Sequence, residues 1–305
     1  MQQEQIDSLI DEQNLIKPKF KHKRVEGPLG RMYTQKSKKV AKRAHFYSVT
    51  TIIDNLLCKG IGWDKWLGNS RSYEDAMNYG KERAGIGDMV HGLCSALAWG
   101  FEVDTSQGWL DNKNDIHEIP DEAKLRLTGF LDFLEEHRPK ILATELPLFN
   151  PARYKNKYGE GFRYPFAGTA DYFMMIDDKL WLVDIKTGKE HPKNHALQLS
   201  FYKILFDSLY GKSMDMQVDN LACLYLNSKG KYKLRKYKFE EDYCYNVYDL
   251  FIYYKSNFYG KMPTIKDKEM LPNKYKWEGI DDGTREQSEA GDSEESASNN
   301  EIKKH

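Results

Sequence analysis

The chain has 305 residues, and its 46 Lys and Arg balance 46 Asp and Glu for a formal net charge of zero. Apolar residues make up 40% and aromatic residues 13%, with 20 tyrosines and a mean hydropathy of -0.74, a globular profile with ample length for a core. No stretch approaches the roughly 20 apolar residues of a membrane helix, the first residues do not read as a secretory leader, and Cys58, Cys94, Cys223 and Cys244 form no close pair. The expectation is a soluble, intracellular, cytoplasmic protein without a disulfide framework.

The zero net charge hides an asymmetry. Residues 17–43 carry 11 Lys and Arg against one acid, Glu26, and residues 1–45 read as a basic, flexible arm. Such an arm either meets a polyanion or is simply solvated. Ser48 suits the N-cap of a helix over 48–57, a second helix is expected over 88–99 with a stop at Gly100, and a third over 121–137 ahead of Pro139. The period then changes to that of strands over 141–149, 166–176 and 180–186. A loop of bases and tyrosines, residues 153–163, separates the first two. A helix over 194–210 is expected to close at Gly211, followed by a hairpin at Asn227-Ser-Lys-Gly and a last helix over 240–258. Residues 46–276 thus read as one mixed α/β domain. From 278 onward 9 acids face three bases with no apolar periodicity, so residues 277–305 read as an acidic disordered tail.

Aspartate is depleted in strands, so acids in two neighbouring strands need a reason. Along Leu180-Trp-Leu-Val-Asp-Ile-Lys the side chains alternate, placing Asp184 and Lys186 on one face and Trp181, Val183 and Ile185 on the other. A two-residue turn at Asp177-Asp178 pairs Ile176 with Lys179. Counting on from there sets Asp171 opposite Asp184. Opposed carboxylates about 4.5–5.5 Å apart repel one another and suit a hard divalent cation between them. The plainer alternative makes Asp171 a solvent-facing acid paired with Lys186.

Gly168-Thr-Ala-Asp171, then Asp184-Ile-Lys186-Thr-Gly, then Gln198-Leu-Ser-Phe-Tyr202 resemble, in order and spacing, the motifs of the PD-(D/E)XK nuclease superfamily. Within it they are similar to the RecB-type exonucleases, which include mitochondrial genome-maintenance and phage-encoded enzymes. The resemblance spans roughly residues 91–210. It implies a restriction-endonuclease-like α/β core, a mixed central β-sheet flanked by helices. It also implies a metal-dependent DNA nuclease, an exonuclease acting on DNA ends or single strands in replication, recombination or repair. A structure-selective endonuclease and a catalytically silent nucleic-acid-binding module of the same fold are the alternatives, and RNA remains open as a substrate.

By the same resemblance Asp171 and Asp184 are Mg²⁺ or Mn²⁺ ligands, with the carbonyl of Ile185 as a further one. Lys186 would orient or help deprotonate the attacking water and stabilise developing charge, as phosphodiester hydrolysis requires. His91, which follows Tyr79-Gly-Lys-Glu-Arg-Ala-Gly-Ile-Gly-Asp-Met-Val, and Glu145, on the strand before Asp171, match additional ligand positions. A lone helix histidine is otherwise a packed one. Gln198 and Tyr202 share a helix face, where the family places a pair beside the active site and DNA; ordinary packing is the other reading. Arg153, Lys155, Lys157 and Arg163, interleaved with tyrosines, suit phosphate contact and base stacking. The four cysteines lack the tight run of an iron–sulfur site, so no such cluster is expected. No phosphate-binding loop occurs, so any helicase or recombination partner would be a separate protein. If phage-encoded, the protein would work in the host cytoplasm.

Overall fold

A computed structural model describes residues 13–19, 23–35, 44–57, 61–110, 115–149 and 166–258. Strands β1 (Lys23–Gly27) and β2 (Gly30–Gln35) form a hairpin, and β3 (Ala44–Ser48) pairs with β2. Ser48 ends β3 and caps helix α1 (Val49–Leu56), its hydroxyl accepting the Thr51 N–H at 3.0 Å. That satisfies one of the donors a helix start leaves open. Helices α2 (Ile61–Asn69) and α3 (Tyr73–Ala98) follow, then the short hairpin β4 (Trp109–Leu110) and β5 (Ile116–His117). Helix α4 (Asp121–His137) ends on Arg138 at φ 41°, directly before Pro139, a residue that disfavours helix in its predecessor. Strands β6 (Lys140–Phe149), β7 (Phe166–Ile176) and β8 (Lys179–Lys186) lead to helix α5 (Pro192–Phe206). Strands β9 (Asn220–Leu226) and β10 (Tyr232–Tyr237) and helix α6 (Glu241–Phe258) complete the described chain.

Among the described residues, eight strands form one mixed sheet. The β8–α5–β9 segment is a crossover joining parallel neighbours, the connection parallel strands require. Strand β7 has β6 antiparallel to it along one edge, while its other edge is divided. Tyr172 to Ile176 pair there with β8, and Phe166 and Ala167 pair with β3. Residues 168–171 therefore face a fork between β3 and β8. On one side of the sheet α1, α5 and α6 pack Ile52, Leu197, Phe201 and Phe251 against Phe166, Phe173 and Leu182. On the other, α3 and α4 pack Val90, Phe130 and Phe133 against Tyr172, Val183 and Ile185.

The central hairpin has the expected register: Ile176 pairs with Lys179 and the ladder runs in step to Tyr172 opposite Val183. Asp177 and Asp178 both hold positive φ, 50° and 56°, the conformation of a two-residue turn matched to strand twist. Leu180 and Leu182 enter the core under α5, and Trp181, Val183 and Ile185 the core under α3 and α4. Asp184 and Lys186 accordingly share the α5 face.

Three boundaries differ from expectation. Helix α3 starts at Tyr73 rather than 88, where Ser72 accepts the Asp75 N–H at 3.0 Å and Glu74 and Asp75 fill the first turn. Gly80, Gly85 and Gly87 weaken the local helix signal, but Arg83 forks onto Glu122 of α4 and ties that half down. Helix α5 does not close at Gly211, which is right-handed at φ -49°. It passes into a π-helical turn, Asp207–Gly211, and leaves through Asp215 at φ 51°. There Lys203 bonds both Asp207, one turn on, and the Val218 carbonyl beyond the turn, at 2.8 and 2.7 Å. Finally, Lys23–Gly27 and Gly30–Gln35, within residues 1–45 expected to be a flexible basic arm, are strands of the main sheet, with Met32 and Tyr33 buried. Residues 150–165, with Arg153, Lys155, Lys157 and Arg163, and residues 259–305, with the acidic tail, lie outside the described residues. Among the described residues no helix is long and apolar enough to cross a membrane.

Candidate active site

The fork in the sheet is where the polar residues gather. The pleat alternation changes phase in β7: Phe166 and Ala170 face the α5 core, and so does Phe173, three positions further. Asp171 sits at that change. Its Oδ2 accepts the Ile185 N–H at 2.8 Å across the fork and lies 3.3 Å from His91 Nδ1. Strand β6 pairs Thr144 with Tyr172 and Leu146 with Ala170, so Glu145 lies opposite Asp171 on the other edge. His91, Glu145 and Asp171 each offer a ligand atom within 4.8 Å of the others. One imidazole and two carboxylates at that spacing could hold a metal ion, and carboxylate oxygens are the donors divalent cations of the magnesium and manganese type take.

Asp184 is placed differently. It contacts Lys186, and its Oδ1 accepts from Gln198 Nε2 at 3.2 Å. Gln198 Oε1 in turn accepts from Lys186 Nζ at 3.1 Å, and its amide also reaches the Tyr202 hydroxyl at 3.2 Å. One glutamine thus fixes both ends of the Asp184–Lys186 pair, and Gln198 and Tyr202 act together from α5. Ile185 lies in the parallel ladder opposite Leu224 and meets the cluster through its N–H.

The charges respond to one another and to burial. Burial alone would raise Asp171, but the His91 ring beside it and Lys186 hold its carboxyl below the usual range. Burial first, then the Asp171 charge, holds Asp184 above its ordinary value despite Lys186. Burial opposes the charged form of His91, yet the Asp171 and Glu145 carboxylates outweigh it and push the ring up to about 9. Burial likewise opposes the Lys186 ammonium, and Asp184 and Asp171 overcome it to hold the amine above its usual range. Burial raises the Tyr202 phenol well above its usual value. Two carboxylates of unequal acidity facing two cations make this a cluster of mutually shifted groups, the pattern expected where chemistry is done.

Several supporting residues carried no signal in the sequence. Arg126, 3% exposed, bonds the Glu122 carboxylate and carbonyl at 3.0 and 2.9 Å and reaches the Thr187 carbonyl at 3.4 Å, just past Lys186. Tyr33 lies 3.4 Å from the Thr169 hydroxyl, linking the β1–β2 hairpin to the fork. His195, one turn before Gln198, bonds Tyr225 at 2.7 Å, and Tyr225 bonds Tyr237 at 2.6 Å. Beyond the local Glu122–Arg126 pair, these residues act across contacts remote in sequence, which no pattern of spacing announces. Cys94, Cys223 and Cys244 are buried in the two cores.

No protein-family model matches the chain, and no curated protein matches it. Among solved structures the chain is similar to a protein described as SSO0001, at 19% identity over 44% of this chain and 59% of that one, with a TM-score of 0.28. It is also similar to an alkaline exonuclease from Laribacter hongkongensis, at 12% identity over 68% of this chain and 86% of that one, with a TM-score of 0.31. The chain spans less than two thirds of the first of these. Neither likeness is close enough to carry an argument about what this chain does.

Proposed function

We propose that the protein is a metal-dependent nuclease of the PD-(D/E)XK type that hydrolyses phosphodiester bonds in DNA, acting as an exonuclease on ends or single strands. The observation that carries this reading is the juxtaposition of two arrays. The His91, Glu145 and Asp171 cluster stands beside Asp171's neighbour strand, where Gln198 locks the Lys186–Asp184 pair. The preference for ends over internal cutting comes from the resemblance of the motifs alone.

The physical logic is one of sign. A phosphodiester approaching Glu145, Asp171 and Asp184 meets like charge and is repelled. A divalent cation, Mg²⁺ or Mn²⁺, held by His91, Glu145 and Asp171 would reverse that sign, polarise the phosphate and acidify a water. Asp184, on the adjoining strand, would complete the acidic side of the site. Lys186 brings an ammonium on the α5 face to bear on charge developing at the phosphate, and Gln198 limits where that ammonium can swing. Tyr202 supports Gln198 from the next helical turn. Arg153, Lys155, Lys157 and Arg163 are proposed to hold the DNA backbone ahead of the site.

The test is a cleavage assay with single- and double-stranded DNA labelled at either end, in Mg²⁺, Mn²⁺ or EDTA, beside Lys186→Ala. Metal-dependent laddering from one end, lost in the variant, is the expected result. Internal cuts lost in the variant would replace the exonuclease by an endonuclease. DNA binding without cleavage in any metal would replace both by a silent binding module.

A further inference from the structure

Strand β6 departs from regular geometry twice within a few residues. Its register against β7 shifts between Ile141 and Ala143, and Glu145 holds φ at 49°, in the left-handed region. For a residue with a side chain that conformation is unfavourable, and it persists only where the surroundings over-determine it. Glu145 is also one of the three residues whose ligand atoms converge. Its backbone conformation therefore decides where its carboxylate falls.

The residue before it is gripped from three directions. Thr144 donates its N–H to Asn14 Oδ1 at 2.8 Å, and its carbonyl accepts from Asn14 Nδ2 at 3.1 Å. Its hydroxyl accepts from Trp99 Nε1 at 3.0 Å. Asn14 is 1% exposed, 130 positions away in sequence, and presents its amide to Thr144 as a peptide group would in a strand. Next to it the N–H groups of Leu15 and Ile16 both donate to the Leu142 carbonyl, at 2.8 and 3.0 Å, at the register shift. Ile16 is buried in the α5-side core. A primary amide is the one short side chain that supplies a donor and an acceptor side by side: aspartate offers only acceptors and alanine neither.

We propose that Asn14 is a positioning residue for the metal cluster: by pairing both backbone groups of Thr144 it holds β6 in the bent form that brings the Glu145 carboxylate to His91 and Asp171. The inference rests on the reading of that cluster as a cation site, and extends it to a residue that touches none of the ligands' side chains.

The experiment is Mn²⁺ titration of the full chain by calorimetry, with circular dichroism and a thermal melt on each variant. Asn14→Ala and Asn14→Asp are expected to weaken Mn²⁺ binding about ten-fold or more, as loss of a ligand-orienting partner does. Ile16→Val, which trims the same segment but leaves both amide bonds, is expected to bind within about two-fold of the unaltered chain, as a change remote from the ligands should. If Asn14→Ala fails to fold, Asn14→Asp, similar in shape, carries the comparison. A folded Asn14 variant with unchanged Mn²⁺ affinity, while Glu145→Gln loses binding, overturns the inference alone. Equal weakening by Ile16→Val also overturns it, since general loosening would then suffice. Absence of Mn²⁺ binding in the unaltered chain overturns the reading of the site, and this inference with it.

Discussion

Gly168 lies against the ring of Tyr202: a Cβ built at position 168 would fall 2.4 Å from Tyr202 Cε1 and 3.3 Å from Cζ. Strand β7 and helix α5 meet there without room for a methyl group. The glycine is what allows Tyr202 to reach back to Gln198 at the edge of the fork.

Gly168→Ala should therefore push Tyr202 away and cost about 1–3 kcal/mol, the usual range for overpacking a filled site. Urea unfolding measures the stability, and the cleavage assay measures the loss at Gln198. A variant as stable and active as the unaltered chain would show that Tyr202 can shift freely.

Gln198 holds Lys186 and Asp184 together. Truncation by Gln198→Ala leaves those buried groups short of partners, which costs about 1–3 kcal/mol. The expected signature is a fall in kcat larger than any rise in KM, because Lys186 loses its fixed position rather than the substrate its main grip. A pure KM effect would mean that Gln198 serves DNA binding instead.

Asp184 presents the opposite balance. Burial and the Asp171 charge both disfavour its ionised form. Asp184→Asn keeps an acceptor for Gln198 while removing the charge. Because the fold disfavours the charged form, its stability in EDTA should match or exceed that of the unaltered chain, while cleavage is lost. Strong destabilisation would show that the ion pair with Lys186 outweighs the crowding of the carboxylates.

His195 gives a pH dependence with a definite sign. Burial first, then the Lys186 charge, lowers its pKa to about 3, so the ring is neutral in the fold. An unfolded histidine titrates near about 6.5. Between those values the unfolded chain binds a proton that the native one does not. Its contribution to stability is complete above about 6.5 and is lost as pH falls toward about 3. Urea unfolding of His195→Gln at successive pH values should show a slope shallower by up to about 1.4 kcal/mol per pH unit in that window. Parallel curves would mean that the ring takes up its proton in the folded state.

A cation held by the native chain and not by the unfolded one must raise stability. Mn²⁺ at a hundred times its Kd should add about 2.7 kcal/mol, seen as a rise in Tm that EDTA reverses. Glu145→Gln and His91→Ala should each reduce the rise. An equal rise in both would place the cation elsewhere.

The register of the central hairpin could be read from residue order because its turn and its alternation are local. Alternation assigned Asp184 and Lys186 to one face, and the Asp177-Asp178 turn set the register as far as Tyr172 and Val183. Capping did the same for α1 and α4, where Ser48 and Pro139 act within one turn of the boundary. Helix α3 was half hidden, since its glycines argue against helix and its anchor, Glu122, is 39 positions away. The strands over 23–27 and 30–35 were hidden behind their lysine and arginines, a charge pattern that says nothing about backbone pairing.

Residue order thus sets, through short-range periodicity, the common face of Asp184 and Lys186 and the helix face that Gln198 and Tyr202 share. Which of them converge was settled by packing. Simple alternation pairs Asp171 with Asp184, yet in the folded chain Asp171 turns to His91 and Glu145 while Asp184 turns to Lys186 and Gln198. The division follows from the fork in the sheet, where β3 and β8 share one edge of β7, and from the left-handed Glu145 opposite. Both arise from segments brought together over more than a hundred residues, Tyr47 beside Phe166 and Asn14 beside Thr144. No local rule of spacing reaches that far, because such contacts are chosen by burial and backbone pairing across the whole sheet.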